Sequence, residues 1–233
     1  MNLNKKSSIN KLRTFLEKKR LTDNDNKIST HIAMGDNKTD NFKGSFSIED
    51  NDIEKFYTLY NKAYIDGHRL HILERPKEQG PIIIDIDLNY ELFKNSSPRI
   101  YTNYDIKKIV EIYTLIIKKY INIDNNDDDD YLTAYILEKN KPKLINELDE
   151  KYEYKDGIHI IFPHICASIS LQLLIRFDVV EYIKEDLVLQ HLNLKNSIDD
   201  VFDIQIIGRN SWLLYGSSKC DNEDYLYKLT IIF

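Results

Sequence analysis

Apolar positions recur along this chain with two periods, and the changes of period divide it into helices and strands. Ile9, Leu12, Phe15 and Leu16 fall at helical spacing behind Ser8, which predicts an amphipathic helix capped by that serine. A second helix is expected to start at Asp50 or Asp52, with Ile53, Phe56, Tyr57, Tyr60 and Tyr64 on one face. Thr102 is expected to cap a longer helix carrying Ile106, Ile109, Val110, Tyr113, Ile117 and Tyr120, and residues 169–191 are expected to be mainly helical. Extended segments are expected at residues 28–34, 44–48, 69–74, 81–87, 131–138, 157–162, 203–207, 211–215 and 225–233. The third and fourth of these are joined by a Pro/Gly-containing turn, Pro163 ends the sixth, and a charged loop surrounds Pro142. The pattern describes an α+β protein with a mostly antiparallel sheet or two packed sheets, without internal repeats.

Within that pattern, the run Pro81-Ile82-Ile83-Ile84-Asp85-Ile86-Asp87 changes the picture most. Strand side chains alternate, so Asp85 and Asp87 point to one face while buried isoleucines anchor the other. Two close carboxylates raise each other's pKa, and a hard divalent cation such as Mg²⁺ or Mn²⁺ removes that penalty through oxygen ligands. The pair therefore suggests a metal site for phosphate chemistry.

Composition bounds the rest. The 233 residues form one domain or two closely packed halves, and 42% apolar residues supply a sizeable core. Cys166 and Cys220 lack zinc-ligand spacing, so no zinc site is expected. No apolar run is long enough to span a bilayer, and the basic N-terminus lacks a signal-peptide core, which suggests a cytosolic or nuclear context and no secretion. The net charge of -6 does not favour a nucleic-acid binder, although Lys5, Lys6, Lys11, Arg13, Lys18, Lys19 and Arg20 cluster near the start. The acidic run at Asp124, Asp127, Asp128, Asp129 and Asp130 is expected to be a solvated loop tip. The apolar ending Ile231-Ile232-Phe233 suggests a piece of a longer chain.

Two further segments carry candidate phosphate ligands. In Lys155-Asp156-Gly157-Ile158-His159, Gly157 and His159 share a strand face, and the glycine admits close approach of a ligand. Taken alone, His159 reads more simply as a hydrogen-bonded core histidine. The segment from Phe202-Asp203 onward adds a third carboxylate and the donors Arg209, Ser217, Ser218 and Lys219, although a Ser-Ser-Lys turn by itself is an ordinary surface feature. Trp212, Leu214 and Tyr215 are expected in the core rather than as a base-stacking platform.

The order hydrophobic-Asp-x-Asp, Gly-x-His, hydrophobic-Asp resembles the three motifs of archaeo-eukaryotic primases. The version here is similar to the primase domain of the large nucleocytoplasmic DNA viruses, of the poxvirus and mimivirus type, which is fused to a superfamily-3 helicase. Thr30-His31, Leu73-Glu74-Arg75 and the stretch from Arg209-Asn210 through Trp212 to Lys219 support it, and the last also resembles the eukaryotic primase-polymerase. The likeness spans residues 30–233.

The resemblance implies an RRM-like sheet packed with a second α/β unit. It implies a basic N-terminal extension over residues 1–27 and a catalytic domain over residues 28–233, the N-terminal part of a longer primase–helicase. By the same resemblance Asp85, Asp87 and Asp203 would bind two Mg²⁺ or Mn²⁺ ions. Lys155, Gly157 and His159, with Arg209, Ser217 and Lys219, would hold a nucleoside triphosphate opposite a single-stranded DNA template. The sequence departs from the family where Gly157 replaces a small hydroxyl residue and where Leu213 stands in place of an arginine. A two-metal nuclease, a nucleotide-sugar transferase, and a non-catalytic DNA-docking or helicase-assembly domain remain as alternatives. The first would have no need of a triphosphate set, the second gives Gly157 and His159 no evident task, and the third has no reason to keep three carboxylates.

Overall fold

The computed structural model describes residues 3–35, 43–123, 129–219 and 226–233. Among them the chain forms α1 (Leu3–Glu17), β1 (His31–Met34), β2 (Lys43–Phe46), α2 (Asp50–Ile65), β3 (Ile72–Glu74), β4 (Gln79–Phe93) and α3 (Asn103–Tyr120). There follow β5 (Tyr135–Lys139), β6 (Lys143–Glu147), β7 (Lys151–Ser168), α4 (Ile169–Glu185), α5 (Ile198–Val201), β8 (Trp212–Leu213) and β9 (Tyr227–Ile232). The chain divides into two compact units, Met1–Pro76 with Ser211–Leu226, and Lys77–Asn210 with Tyr227–Phe233.

In the first unit an antiparallel sheet of order β2-β1-β3-β8 packs with α1 and α2. Ile9, Leu12, Phe15 and Leu16 form the buried stripe of α1, but that helix begins at Leu3 and Ser8 is a buried interior residue, not its cap. The turn that polar Ser8 was expected to open is instead extended backwards by Asn4, Lys5 and Lys6, whose side chains lie outside the description. On α2, Phe56 and Tyr60 are fully buried while Ile53, Tyr57 and Tyr64 pack at the margin.

The second unit is built on one long antiparallel pairing. β4 and β7 run side by side from Gln79↔Ser168 to Phe93↔Lys151, and the sheet continues in the order β4-β7-β5-β9, with β6 also on β7. Ile82, Ile84, Ile86, Leu88 and Tyr90 alternate onto one face of β4, where α3 and α4 cover them with Ile106, Ile109, Tyr113, Ile175 and Val179. Asp105 secures the start of α3 by accepting from the backbone N–H and the hydroxyl of Thr102, both at 2.8 Å.

Several expected boundaries shift for physical reasons. β3 and β4 are successive in sequence yet lie in different sheets. Pro163 does not end β7, because the register jumps from Ile82↔Phe162 to Pro81↔Cys166 and so asks no ladder donor of the proline. The charged loop around Pro142 joins β5 to β6, which follow one another along β7 and both pair with it. Residues 204–206 form a short 3₁₀ turn, not a strand. Leu214 is in the core as expected, whereas Tyr215 is 47% exposed. Cys220 and, from the acidic run, Asp124, Asp127 and Asp128 lie outside the described residues. Among the described residues no helix is long and apolar enough to cross a membrane.

Beneath the β5–β7 pairing lies a buried ionic cluster. Arg99 Nε donates to Asp156 Oδ2 (2.9 Å), its Nη1 to Glu138 Oε1 (3.3 Å), and its Nη2 to the Lys139 carbonyl (2.6 Å). Asp156 is wholly buried and also accepts from the Gly157 N–H at 2.9 Å, while the Tyr101 hydroxyl donates to Glu138 at 2.9 Å. Removing one partner strands a buried charge. Arg99→Ala is expected to cost about 3–5 kcal/mol at neutral pH by urea unfolding. The loss should be smaller in acid, where Asp156 takes up a proton.

Candidate active site

The face of the second sheet away from α3 and α4 carries the charged residues. On β4 the partly exposed positions include Asp85, Asp87 and Asn89, and across the ladder they meet His159, Gly157 and Lys155 respectively. The period-two pattern thus places the Asp pair and the Lys-x-Gly-x-His set on one surface, in register.

Asp203 reaches the same place through the backbone. Residues 195–203 run along the free edge of β4: the Lys195 N–H donates to the Asn89 carbonyl (2.8 Å), Asn196 Nδ2 to the Asp87 carbonyl (2.8 Å), and the Asp203 N–H to the Asp85 carbonyl (3.0 Å). Phe202 forms a β-bridge with Ile86, and Arg176 of α4 clamps the Phe202 carbonyl from Nε (3.1 Å) and Nη2 (2.7 Å). This edge contact satisfies donors and acceptors that a bare edge strand would expose, and it fixes the third carboxylate beside the first. Asp203 is not the start of a strand but the cap of the 3₁₀ turn, accepting from the Gln205 N–H at 2.8 Å.

Charge at the site is unevenly compensated. Lys155 Nζ donates to Asp87 Oδ2 at 3.0 Å. Asp85 Oδ1 is sealed from solvent without a hydrogen-bond partner, and His159 Nε2 stands 3.4 Å from it. Burial, and then the neighbouring Asp87, push the Asp85 carboxyl up to about 7; Asp203 adds to the shift, while Lys139 and Lys155 oppose it. His159 is held flat by Tyr227, whose ring stacks on it with centroids 3.5 Å apart at 15°. Lys139 Nζ lies 5.3 Å from the centre of the Tyr227 ring, and burial draws its pKa down.

Oxygen-only donors and an orphaned buried carboxylate oxygen suit a hard divalent cation. The three carboxylates are adjacent without forming a finished ligand cluster. Among the described residues, no group of three or more His, Cys, Asp or Glu side chains is arranged to hold a metal ion. Asp87 is engaged by Lys155 and Asp203 by its own turn.

The other expected phosphate ligands differ in placement. Arg209 belongs to the second unit, is exposed, and donates to Gln205 Oε1 at 3.3 Å. Ser217 and Lys219 belong to the first unit. Lys219 is exposed, but the Ser217 hydroxyl is buried, accepts from the Ile72 N–H (3.0 Å) and pairs with the Tyr60 hydroxyl (2.9 Å). That serine holds β3 and α2 together, so the family-based expectation of a phosphate contact there does not match its surroundings. Lys139 and Tyr227 were not singled out by sequence reasoning. Lys139 could have been noticed as the charged end of the alternating run that forms β5, whereas Tyr227 had no such signal.

Residues 30–233 match the family described as the C962R protein N-terminal AEP domain, the archaeo-eukaryotic primase type, and the chain belongs to that family. It is 38% identical over 190 residues to "Putative helicase L207/L206" of Acanthamoeba polyphaga mimivirus, covering 82% of this chain and 18% of that protein. It is also 31% identical over 202 residues to "Putative helicase 184R" of Invertebrate iridescent virus 6, covering 82% of this chain and 20% of that protein. The chain therefore spans about a fifth of the length of these relatives.

The raised Asp85 pKa makes a signed prediction. Its folded value near 7 exceeds the unfolded carboxyl value of about 3.9, so the folded state binds the extra proton between these limits. The associated stability is fully present below about pH 4 and lost as pH rises through about 7, up to about 4 kcal/mol for a three-unit shift. In metal-free buffer with chelator, Asp85→Asn should gain stability over the parent as pH rises, with little difference near pH 4. Urea midpoints across that range test it, and a difference that stays flat with pH would contradict the described environment.

Proposed function

We propose that this chain is the catalytic part of a DNA primase or primase-polymerase, joining nucleotides along a single-stranded DNA template by two-metal nucleotidyl transfer. The family supports a primase-type function in general. The observation that carries the finer reading is the partly exposed sheet face on which Asp85 and Asp87 stand in register with His159 and Gly157, with Asp203 bonded alongside.

In this reading Asp85, Asp87 and Asp203 hold two Mg²⁺ or Mn²⁺ ions. Bound there, such ions supply activation of an attacking 3′-hydroxyl and neutralise charge at the transferring phosphorus. The protein's own groups do the positioning. Asp85 must give up its proton for full ligation, and a bound cation would favour the ionised form that burial and Asp87 disfavour in the metal-free site. Lys155 exchanges Asp87 for the incoming triphosphate. His159, its ring orientation fixed by stacking on Tyr227, would present Nε2 toward the phosphates. Arg209, exposed and in the same unit, is a further candidate for the triphosphate. A two-metal nuclease would use the same carboxylates, but it would leave Lys155 and His159 without a task.

The relatives are named as helicases, and we infer a larger protein in which a superfamily-3 helicase keeps this domain near its template by raising effective concentration. The place of action would be a viral replication site, cytoplasmic or nuclear, in the host cell.

Incorporation of labelled nucleoside triphosphates on a single-stranded template, with Mg²⁺ or Mn²⁺, tests the reading. Asp85→Ala should abolish incorporation and leave the circular-dichroism spectrum unchanged; retained activity would sink the assignment. Mn²⁺ at about a hundred times its dissociation constant should stabilise the parent by about 2.7 kcal/mol, and this gain should vanish in Asp85→Ala.

A further inference from the structure

We propose that Lys139 is an additional phosphate-binding residue of this site, with Tyr227 as the positioning residue that aligns it and His159; the inference rests on the function proposed above. Four strands bring the relevant groups into one row. Asp87 on β4 is paired with Gly157 on β7. Glu138↔Ile158 is the last pair between β5 and β7, and continuing the antiparallel register carries Lys139 opposite Gly157. Tyr227 on β9 is in turn paired with Lys139.

Gly157 leaves a gap in that row, and two polar groups fill it. A Cβ placed on Gly157 would stand 2.5 Å from the Tyr227 hydroxyl and 2.8 Å from Lys139 Nζ. The bare glycine thus allows a hydroxyl and an ammonium, delivered from two other strands, to meet over the backbone between Lys155 and His159. Tyr227 serves both neighbours, stacking on the His159 ring and offering its π-system to Lys139 Nζ, which lies over the ring 5.3 Å from its centre.

The two lysines of the site are in different situations. Lys155 is paired with Asp87. Lys139 makes no ion pair among the described residues, although Asp85, Asp87 and Asp156 attract it and Lys155 repels it from farther away. A partly buried ammonium without a close counter-ion disfavours folding. A polyphosphate reaching Lys139 Nζ would supply that counter-ion, and charge-assisted bonds to phosphate oxygens are among the stronger polar contacts. The competing role is balance of the Asp85 and Asp87 charges alone.

The test compares the 233-residue chain with Lys139→Met, Lys139→Arg and Tyr227→Leu. Binding of deoxyadenosine triphosphate and of the monophosphate, each with Mg²⁺, is measured by calorimetric titration alongside thermal unfolding. Lys139→Met should weaken triphosphate binding about tenfold, equivalent to about 1.4 kcal/mol, and alter monophosphate binding far less. Lys139→Arg should restore most of the loss. Tyr227→Leu should weaken the triphosphate in the same sense, and Lys139→Met should unfold no earlier than the parent. Equal triphosphate binding by parent and Lys139→Met would overturn the inference alone. So would a loss shared equally by both nucleotides, or a lowered unfolding temperature with triphosphate binding intact, since either marks a charge-balancing or structural lysine. If the parent itself bound no triphosphate, the proposed function would fall first and this inference with it.

Discussion

The antiparallel pairing of the 15-residue β4 with β7 is the constraint on which the second unit depends. It sets two opposite demands on alternate residues. One face must be apolar enough to hold α3 and α4, and Ile82, Ile84, Ile86, Leu88 and Tyr90 meet that demand. The other face is then free to carry charge, and a slip of one residue would exchange the two sets. Register therefore does the work of site construction. It sets Asp85 against His159 and Asp87 against Gly157 with no help from loops.

Electrostatics add a second layer to that scaffold. The surface carboxylates are under-compensated, while the ionic cluster just beneath is well satisfied. Arg99 binds Asp156, Glu138 and the Lys139 carbonyl, and Asp156 returns a bond to the Gly157 N–H. The backbone on both sides of the β5–β7 pairing is thus anchored from below at the residues that face the site from above. A rigid base of this kind lets the face keep unfavourable charge that a looser sheet would relieve by rearrangement. Burial, and then the neighbouring Asp87, are expressed instead in the raised pKa of Asp85.

Much of this was legible along the chain, and the misses have identifiable causes. The helical stripes of α1, α2 and α3 and the alternation of β4 follow from apolar periodicity, which reports directly on one-sided burial. The end of β7 was misplaced because Pro163 breaks a ladder only where the partner strand needs its N–H, and a register jump removes that need. Ser8 and Ser217 take structural places for a related reason. A serine can cap, contact a ligand or brace a core, and only its neighbours decide which. Ser217 braces a core because Tyr60 and the Ile72 N–H happen to converge on it.

The sequence by itself determined the local alternation, and with it which side of each strand could be buried. It also supplied the motif residues, whose order alone was enough to suggest the primase family, since types and spacings are one-dimensional facts. Tertiary structure decided what meets what. It brought Asp203 to Asp85 through an edge contact from a segment more than a hundred residues away, and it filled the gap at Gly157 with Lys139 and Tyr227. It also put β3 and β4, neighbours along the chain, into separate sheets. Such pairings depend on long-range register and on the volumes left by other side chains, and neither quantity is written in the spacing of residues along a single strand.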